Sequence, residues 1–509
     1  DLPVSVKDFG AVGDGVTDDT AAVQAAFTAA RRVTLSGLKL RLTNSINIFA
    51  GDSFILNGEG GELFADTFSD RLLQFIGNST VTHKNILIEN VRFNMTTSGA
   101  NTTQGILQGD GPNINNLTIR SCRFTAPSRG INGFFFKCRG EADSDNSQID
   151  GLTIEGCEFV SLGRMGVEII NNNTTTIYRY RNVRIVNNKF DTTGIIANGM
   201  GISLSGFGES SVIEGNNFKD CPFAGVELAG AGRGIVVNAN TFAGNLKPLS
   251  CSQSEMSGVV ISNNTCSSYV SQKVLLGSLR NANIRGNQWM TDSHIEMVAG
   301  GGNVFADNIV LAKGNYAFIA DGSPNNLIRD NILDNSNGAS NFSVIRFANA
   351  GATGNLAQRN MLYKGPGGGI TDEVLSAAGN RFEDNRTSLT QRETIQSLHK
   401  RAGSGASIVF TIDFGSSSSR IPHVVEVFGA SKDGGGGGTN GYAQSTFFVS
   451  SLGGVTTEQL LRNDVFAAVG CAISVSYGLL TMTITVTQPV NQNGTAFIRV
   501  AGQSTTVLS

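Results

Sequence analysis

Five carboxylates in the middle of a 509-residue chain could perform chemistry on a sugar: Glu168, Glu227, Glu255, Asp292 and Glu296. Hydrolysis of a glycosidic bond needs two carboxyl groups, one acid and one base or nucleophile. They stand about 5–5.5 Å apart for retention and roughly 6.5–9.5 Å apart for inversion. Glu227 lies in GVELA, Glu255 in CSQSEMSG, and Asp292 and Glu296 in WMTDSHIEMV. These four are the candidate catalytic acids, and Glu168, beside a long loop, is the reserve. His294, two residues before Glu296, is placed to orient that carboxylate or touch substrate, and Arg164 is a second candidate for substrate binding. An eliminating enzyme would instead use a base and a charge-neutralising group, for which Lys137, Arg139, Arg164 and Tyr178 are available. The four histidines, His83, His294, His399 and His423, form no HExxH and no paired spacing, so no metal site is expected. The glycine-rich GGGNVFADN lacks the strand–GxGxxG–helix setting of a nucleotide site, so no cofactor is expected.

What positions these acids is a phrase that keeps returning. IENVRF (88–93), IRSCRF (119–124), IEGCEF (154–159), IVNNKF (185–190), IEGNNF (213–218) and VNANTF (237–242) share one pattern. ISNNTC (261–266), IRGNQW (284–289), FADNIV (305–310), IRDNIL (328–333), AQRNML (357–362) and AAGNRF (377–382) continue it. Repetition at such a period means a solenoid. Apolar residues about two apart, with Gly, Asn and Asp in every copy and no i, i+3, i+4 stripe, make its coils β. Stacked coils put equivalent residues in ladders, and the fourth-position Asn can turn through αL while passing amide hydrogen bonds from coil to coil. Cys122 and Cys157 take that fourth position, which makes them structural thiols, and Trp289 takes the place of an inward Phe. Between the phrases runs a second strand: GVEII from Gly166, GISLS from Gly201, GVELA from Gly225 and HIEMV from His294. Alternation makes Glu168, Ser203, Glu227 and Glu296 one outward ladder. Loops such as GEADSDNS (140–147) and NNNTTTIYRYRN (171–182) would wall a groove beside it.

Composition narrows the partner. Charged residues are 16% of the chain, the net charge is −3 and 63 residues are glycine, so no basic field exists to hold nucleic acid. A neutral, amide-rich surface suits sugars. No apolar run reaches the roughly 20 residues that cross a bilayer, so no membrane insertion is expected. Seven cysteines without a CxxC indicate neither a disulfide framework nor a zinc site.

At the N-terminus, TDDTAAVQAAFTAARR (17–32) reads as an amphipathic helix, with Thr17 or Asp18 as N-cap and Arg31 and Arg32 at its negative end. Gly10, Gly13 and Gly15 let the chain turn into it, and Asp14, Asp18 and Asp19 are read as structural. VKDFGAVGDGVTDDTAAVQAA (6–26) resembles the N-terminal signature of the pectate-lyase-like right-handed β-helix superfamily, shared by phage tailspikes, polysaccharide lyases and mannuronan epimerases. The signature covers about 25 residues and the coil phrases extend the match to about residue 385. The resemblance implies an all-β, right-handed parallel β-helix and a carbohydrate substrate.

After residue 390 the phrase disappears. A short helical piece is expected over 390–403, then strands at 407–414, 423–430, 445–451, 472–488 and 495–502. The expected organisation is a connector and capping helix (1–45), a catalytic β-helix (46–389) and a C-terminal antiparallel β-sandwich (390–509). A β-helix followed by such a domain resembles tailspikes that cleave O-antigen or capsule, the endorhamnosidases of Shigella phages among them. That resemblance implies a homotrimer on a phage virion, joined to the tail or baseplate through a segment upstream of Asp1, and hydrolysing a bacterial surface polysaccharide. A polysaccharide lyase and a receptor-binding fibre that does not cut are the alternatives.

Overall fold

A computed structural model describes residues 2–387 except 50, 69, 98–103, 129, 139–146, 172–177, 195–198, 245, 253–254, 338–342, 365–370 and 374–378. Beyond 387 it describes strands alone, between 396 and 508, by their backbone. The chain divides into two compact units, Asp1–Arg386 and Thr387–Ser509.

The first unit is a right-handed parallel β-helix with three sheets. The first sheet has 19 strands, from Val4–Ser5 to Arg381–Glu383; the second has 15, from Asp14–Asp18 to Arg386–Thr387; the third has 13, from Ile46–Ile48 to Thr371–Glu373. Every pairing among them is parallel, and equivalent residues stack from one coil to the next, as Ile119 with Ile154 and Ile154 with Ile185 illustrate. Coiling begins upstream of the expected boundary at residue 46, because Val4–Ser5 pairs with Arg32–Thr34 and Asp14–Asp18 with Lys39–Arg41.

Inside, identical residues stack. Phe93, Phe124, Phe159, Phe190 and Phe218 follow one another with ring centroids 4.8 Å apart and planes within 14°. Phe242 continues the stack, and Trp289, buried as expected, closes it with its ring 6.2 Å from Phe242. Burying each such ring contributes roughly 1.5–3 kcal/mol, and the stacking fixes the register, because a slip by one residue would turn every Phe outward.

The corner between the first and second sheets holds the asparagines. Asn188, Asn216, Asn240, Asn264, Asn287, Asn308, Asn331 and Asn360 are buried, and each donates its backbone N–H and its side-chain Nδ2 to Oδ1 of the next Asn, at 2.8–3.1 Å. The αL residue is the one before it, as at Asn187, Gly215, Ala239, Asn263 and Gly286, with φ between 54° and 66°. The expected ladder forms, but its Asn is the buried acceptor, not the αL corner. Its last member is Asn385, not Asn380. Asn380 ends a second ladder that runs through Asn303, Asn326 and Asn355, five residues upstream of the first. At the top of the first ladder Cys122 and Cys157 stand in: the Cys122 N–H faces Sγ of Cys157 at 3.4 Å, and the Cys157 N–H donates to Asn188. Six cysteines are buried free thiols, and Cys471 lies outside the described residues.

The N-terminal helix spans Thr20–Ala29 and buries Val23, Ala26 and Phe27 against the first coils, with Phe27 5.3 Å from Phe54. Its start is later than expected. Asp19 is the N-cap residue, and its carboxylate accepts from the Val12 and Gly13 N–H groups at 2.7 and 3.0 Å instead of capping. Asp14 accepts from Val16 and Thr17, and Asp18 from Thr20 and Thr43. The acids of this stretch therefore hold turns. Gly13 and Gly15 have φ of 72° and 74°, and a Cβ on either would meet Leu38 or Lys39 within 2.8 Å.

In the second unit, Gln396–Ala402, Gln492–Gly502, Ile421–Asp433, Gly441–Leu452 and Val455–Phe466 form one antiparallel sheet in that order. Ala472–Tyr477, Thr481–Thr487, Ser407–Asp413 and Val507–Leu508 form another. The helix expected over 390–403 is corrected in its described part: residues 396–402 pair strand-to-strand with 494–500, a long-range ladder that overrides local helical propensity. Strand Val455–Phe466 was not expected at all, since its TTEQLLRND run is polar. The Gly434–Gly438 loop lies outside the described residues.

Candidate functional site

The third sheet carries one outward position through successive coils. Phe135 pairs with Glu168, then Glu168 with Ser203, Ser203 with Glu227, Glu227 with Ser250, Ser250 with Leu275, Leu275 with Glu296, and Glu296 with Ile319. The outward ladder read from the sequence thus holds residue by residue. Glu168 and Glu227 are two coils apart, about 9.5 Å along the sheet, and Glu227 and Glu296 three coils, about 14 Å.

Glu168 is buried, 3% exposed, and takes an Asn132 amide at 2.7 Å and a two-pronged Arg164 guanidinium, with Nη2 to Oε1 at 2.9 Å. Burial pushes its carboxyl above the usual range, Arg164 and Asn132 pull it back, and the nearby Glu227 charge pushes it up again. Glu227 is half-buried and receives the Ser203 hydroxyl at 2.7 Å. Burial raises its pKa too, against the pull of Ser203 and of Lys247. Glu296 is driven the other way. The His294 ring, with Nε2 at 3.9 Å, and the Lys273 ammonium bonded to Oε2 hold it down at about 2, against the upward push of its partial burial. His294 Nδ1 faces the Ser293 hydroxyl at 3.1 Å, which fixes the ring toward Glu296.

The other two expected acids are elsewhere. Asp292 sits exposed at the corner before the third sheet, paired with Lys313 at 2.8 Å. Glu255 lies next to a first-sheet strand, Met256–Ser257, where Arg280 holds it at 2.8 Å and more than half of its side chain is exposed. Both are surface ion pairs of the kind that contributes about 0–1 kcal/mol. Arg164, expected to bind substrate, is instead committed to Glu168 and mostly buried. Lys137 is at the far end of its third-sheet strand, Tyr178 lies under the Arg233 guanidinium at the opposite corner, and Arg139 falls outside the described residues. Among the described residues no cluster of His, Cys, Asp and Glu could hold a metal ion.

Residues 3–38 match the family described as rhamnogalacturonase A/epimerase, pectate lyase-like. The preneck appendage proteins of Bacillus phages PZA and phi29 are each 24% identical over 247 residues, which is 45% of this chain. The match spans 27% of the length of these curated relatives. Among solved structures, pre-mature gene product 12 of bacteriophage phi29 aligns with a TM-score of 0.52 at 16% identity, over 70% of this chain and 52% of that one. The tailspike gp61 of Pseudomonas phage phi297 aligns with a TM-score of 0.51 at 11% identity, over 99% of both chains. This chain has the fold of phage tailspikes. At these identities the likeness speaks for the fold, and the chemistry rests on the side chains.

Those side chains form one electrostatic group: Glu168, Glu227, Lys247, Lys273, His294 and Glu296. It joins two carboxyls raised by burial to a third that is fully ionised, on a face flanked by aromatic rings. Neither lysine was singled out from the sequence. Lys247 opens the strand Lys247–Ser252, and Lys273 immediately precedes the strand Val274–Gly277. Two cations at the entry of neighbouring third-sheet strands were a signal within reach of the repeat alignment.

Proposed function

We propose that this chain is a phage tailspike, carried as a homotrimer on the virion tail, that binds a bacterial surface polysaccharide along its third sheet and hydrolyses it. The observation that carries this reading is the Glu168–Ser203–Glu227 ladder. It sets two carboxylate-bearing residues, each with its pKa raised by burial, on one face two coils apart, about 9.5 Å between their backbones. An inverting pair likewise stands apart to admit a water. Glu227, half-exposed and with its pKa raised by burial, is the general acid. Glu168, whose carboxylate is gripped by Arg164, is the base that activates water. Glu296, with Lys273 and His294, binds sugar hydroxyls farther along the face. The phage appendage relatives and the tailspike fold support the virion assignment.

A receptor-binding fibre that does not cut is the second reading, and one observation favours it: Glu168 is almost sealed from solvent, and both Glu168 and Glu296 are already paired with cations. Incubation with purified O-antigen and capsular polysaccharides, followed by sizing, separates the two. Shortened chains with new reducing ends support hydrolysis, products with a ring double bond reassign the reaction to elimination, and binding without shortening assigns a fibre. Glu227→Gln is expected to lose about 10²–10⁴-fold in cleavage rate while binding persists; cleavage at the wild-type rate would remove Glu227 from the mechanism.

A further inference from the structure

Lys247 is the one cation of the site with no carboxylate of its own. Arg164 is spent on Glu168, Lys273 on Glu296 and Lys313 on Asp292. Lys247 makes no ion pair or hydrogen bond among the described residues. It feels the charges of Glu227 on one side and Glu296 on the other, while Lys273 opposes its charge. Its place is fixed from below. The ammonium rests 4.8 Å over the centre of the Phe223 ring, and Phe223 packs on a small apolar cluster of Met165, Met200 and Ala224. Lys247 pairs with Ala224 across the strands, so this floor and the Glu227 ladder belong to the same two coils. Farther along, at the corner between the second and third sheets, the Lys313 ammonium likewise stands 3.8 Å over the Tyr269 ring.

A half-buried ammonium without a partner is costly unless an anion completes it. A neutral glycan would offer Lys247 only hydroxyl oxygens to bond, whereas an anionic substituent would also pair with its charge. We propose that Lys247, with Lys273 behind it, is the receptor for an anionic substituent, a sugar carboxylate or phosphate, on the polysaccharide that lies across Glu227. The site is thereby selective for acidic glycans in spite of the chain's own net negative charge. This inference rests on the reading of the third sheet as a polysaccharide-binding face.

An array of bacterial O-antigen and capsular polysaccharides tests it, each printed as isolated, after reduction of its carboxyl groups, and after removal of its phosphates. The wild-type chain is expected to bind acidic polysaccharides and to lose roughly ten- to hundred-fold in affinity when the anion is removed, the scale of one charge-assisted hydrogen bond. The treatment that abolishes binding names the carboxylate or the phosphate as the source. Lys247→Met should bind the untreated polysaccharide as weakly as the wild type binds the treated one, and Lys247→Arg should retain most of the affinity. Circular dichroism of both variants guards against misfolding. Binding that ignores both treatments, or a Lys247→Met variant that discriminates as the wild type does, overturns the inference while leaving the binding face intact. A Ser203→Trp variant, bulky in the middle of the ladder, separates the other failure: if it binds as the wild type does, glycan is held elsewhere and both readings fall.

Discussion

Glu227 and Glu296 occupy the same face of the same sheet, yet their surroundings push their carboxyls in opposite directions, and the consequences for stability have opposite signs. Burial raises the folded-state pKa of Glu227 above its ordinary 4.5, so the native state holds its proton longer than the unfolded chain does. Its ionisation therefore costs stability, and that cost appears as pH rises above about 4.5. The His294 and Lys273 contacts depress Glu296 to about 2, so its contribution is present above pH 4.5 and is lost as pH falls from 4.5 toward 2. Thermal melts of Glu227→Gln and Glu296→Gln across this range should diverge. The first is expected to equal the wild type near pH 4 and exceed it at pH 7. The second is expected to fall below the wild type at pH 7, with the gap closing on acidification. Cleavage should also decline as pH rises through the folded-state pKa of Glu227, since a general acid acts only while protonated. Equal melts for Glu227→Gln and wild type at pH 7 would mean that the carboxylate is solvated after all and that burial does not raise its pKa.

At the scale of the element, the coil is held together by side chains that substitute for backbone. Asn264 accepts from both the backbone N–H and the Nδ2 of Asn240, and donates to Val237 O and Asn287 Oδ1. Asn264→Ala would leave the buried Asn240 donors without an acceptor, at about 1–3 kcal/mol for each group left unsatisfied. Denaturant unfolding should show a loss of at least about 2 kcal/mol, while Asn217→Ala, at an exposed asparagine beside the ladder member Asn216, should stay within about 0.5 kcal/mol. Similar losses for both would deny the ladder its role. This ladder was legible in the sequence because a side chain that must meet its own copy in every coil has to recur. The outward acid ladder was legible for the same reason, since period-two alternation fixes the facing of Glu168, Ser203, Glu227 and Glu296. The misreading of Asn380 for Asn385 came from the second Asn ladder, five residues upstream, which offers the same Gly-Asn or Asp-Asn appearance at a different corner. Glu255 and Asp292 sit at corners, where alternation stops and loop length decides direction, so their spacing could not say what they face. Lys247 went unseen because its role depends on the absence of a partner, which no spacing reports.

At the scale of the molecule, the second sheet has a side that its own coils do not cover. Its outward position begins with charge, in Arg92, Arg123, Glu158 and Lys189, turns apolar in Ile309, Ile332 and Met361, and closes on Arg386. Ile309 and Ile332 are 37% and 36% exposed. Single exposed aliphatic residues are ordinary, but a run of them on consecutive coils makes a stripe that water disfavours and another chain can cover. The proposed homotrimer would bury this stripe along the helix. Light scattering of the full chain should return three times the chain mass. The double variant Ile309→Thr and Ile332→Thr keeps β-branching and adds no charge, so the coil should persist by circular dichroism. It is expected to dissociate at concentrations at least about ten-fold higher than the wild type, the loss that follows when one or two buried aliphatic anchors leave an interface. A wild-type monomer would overturn the trimer. A trimer whose dissociation ignores both substitutions would keep the assembly but move the contact off the second sheet, leaving the isoleucine stripe open to solvent beside whatever the third sheet binds.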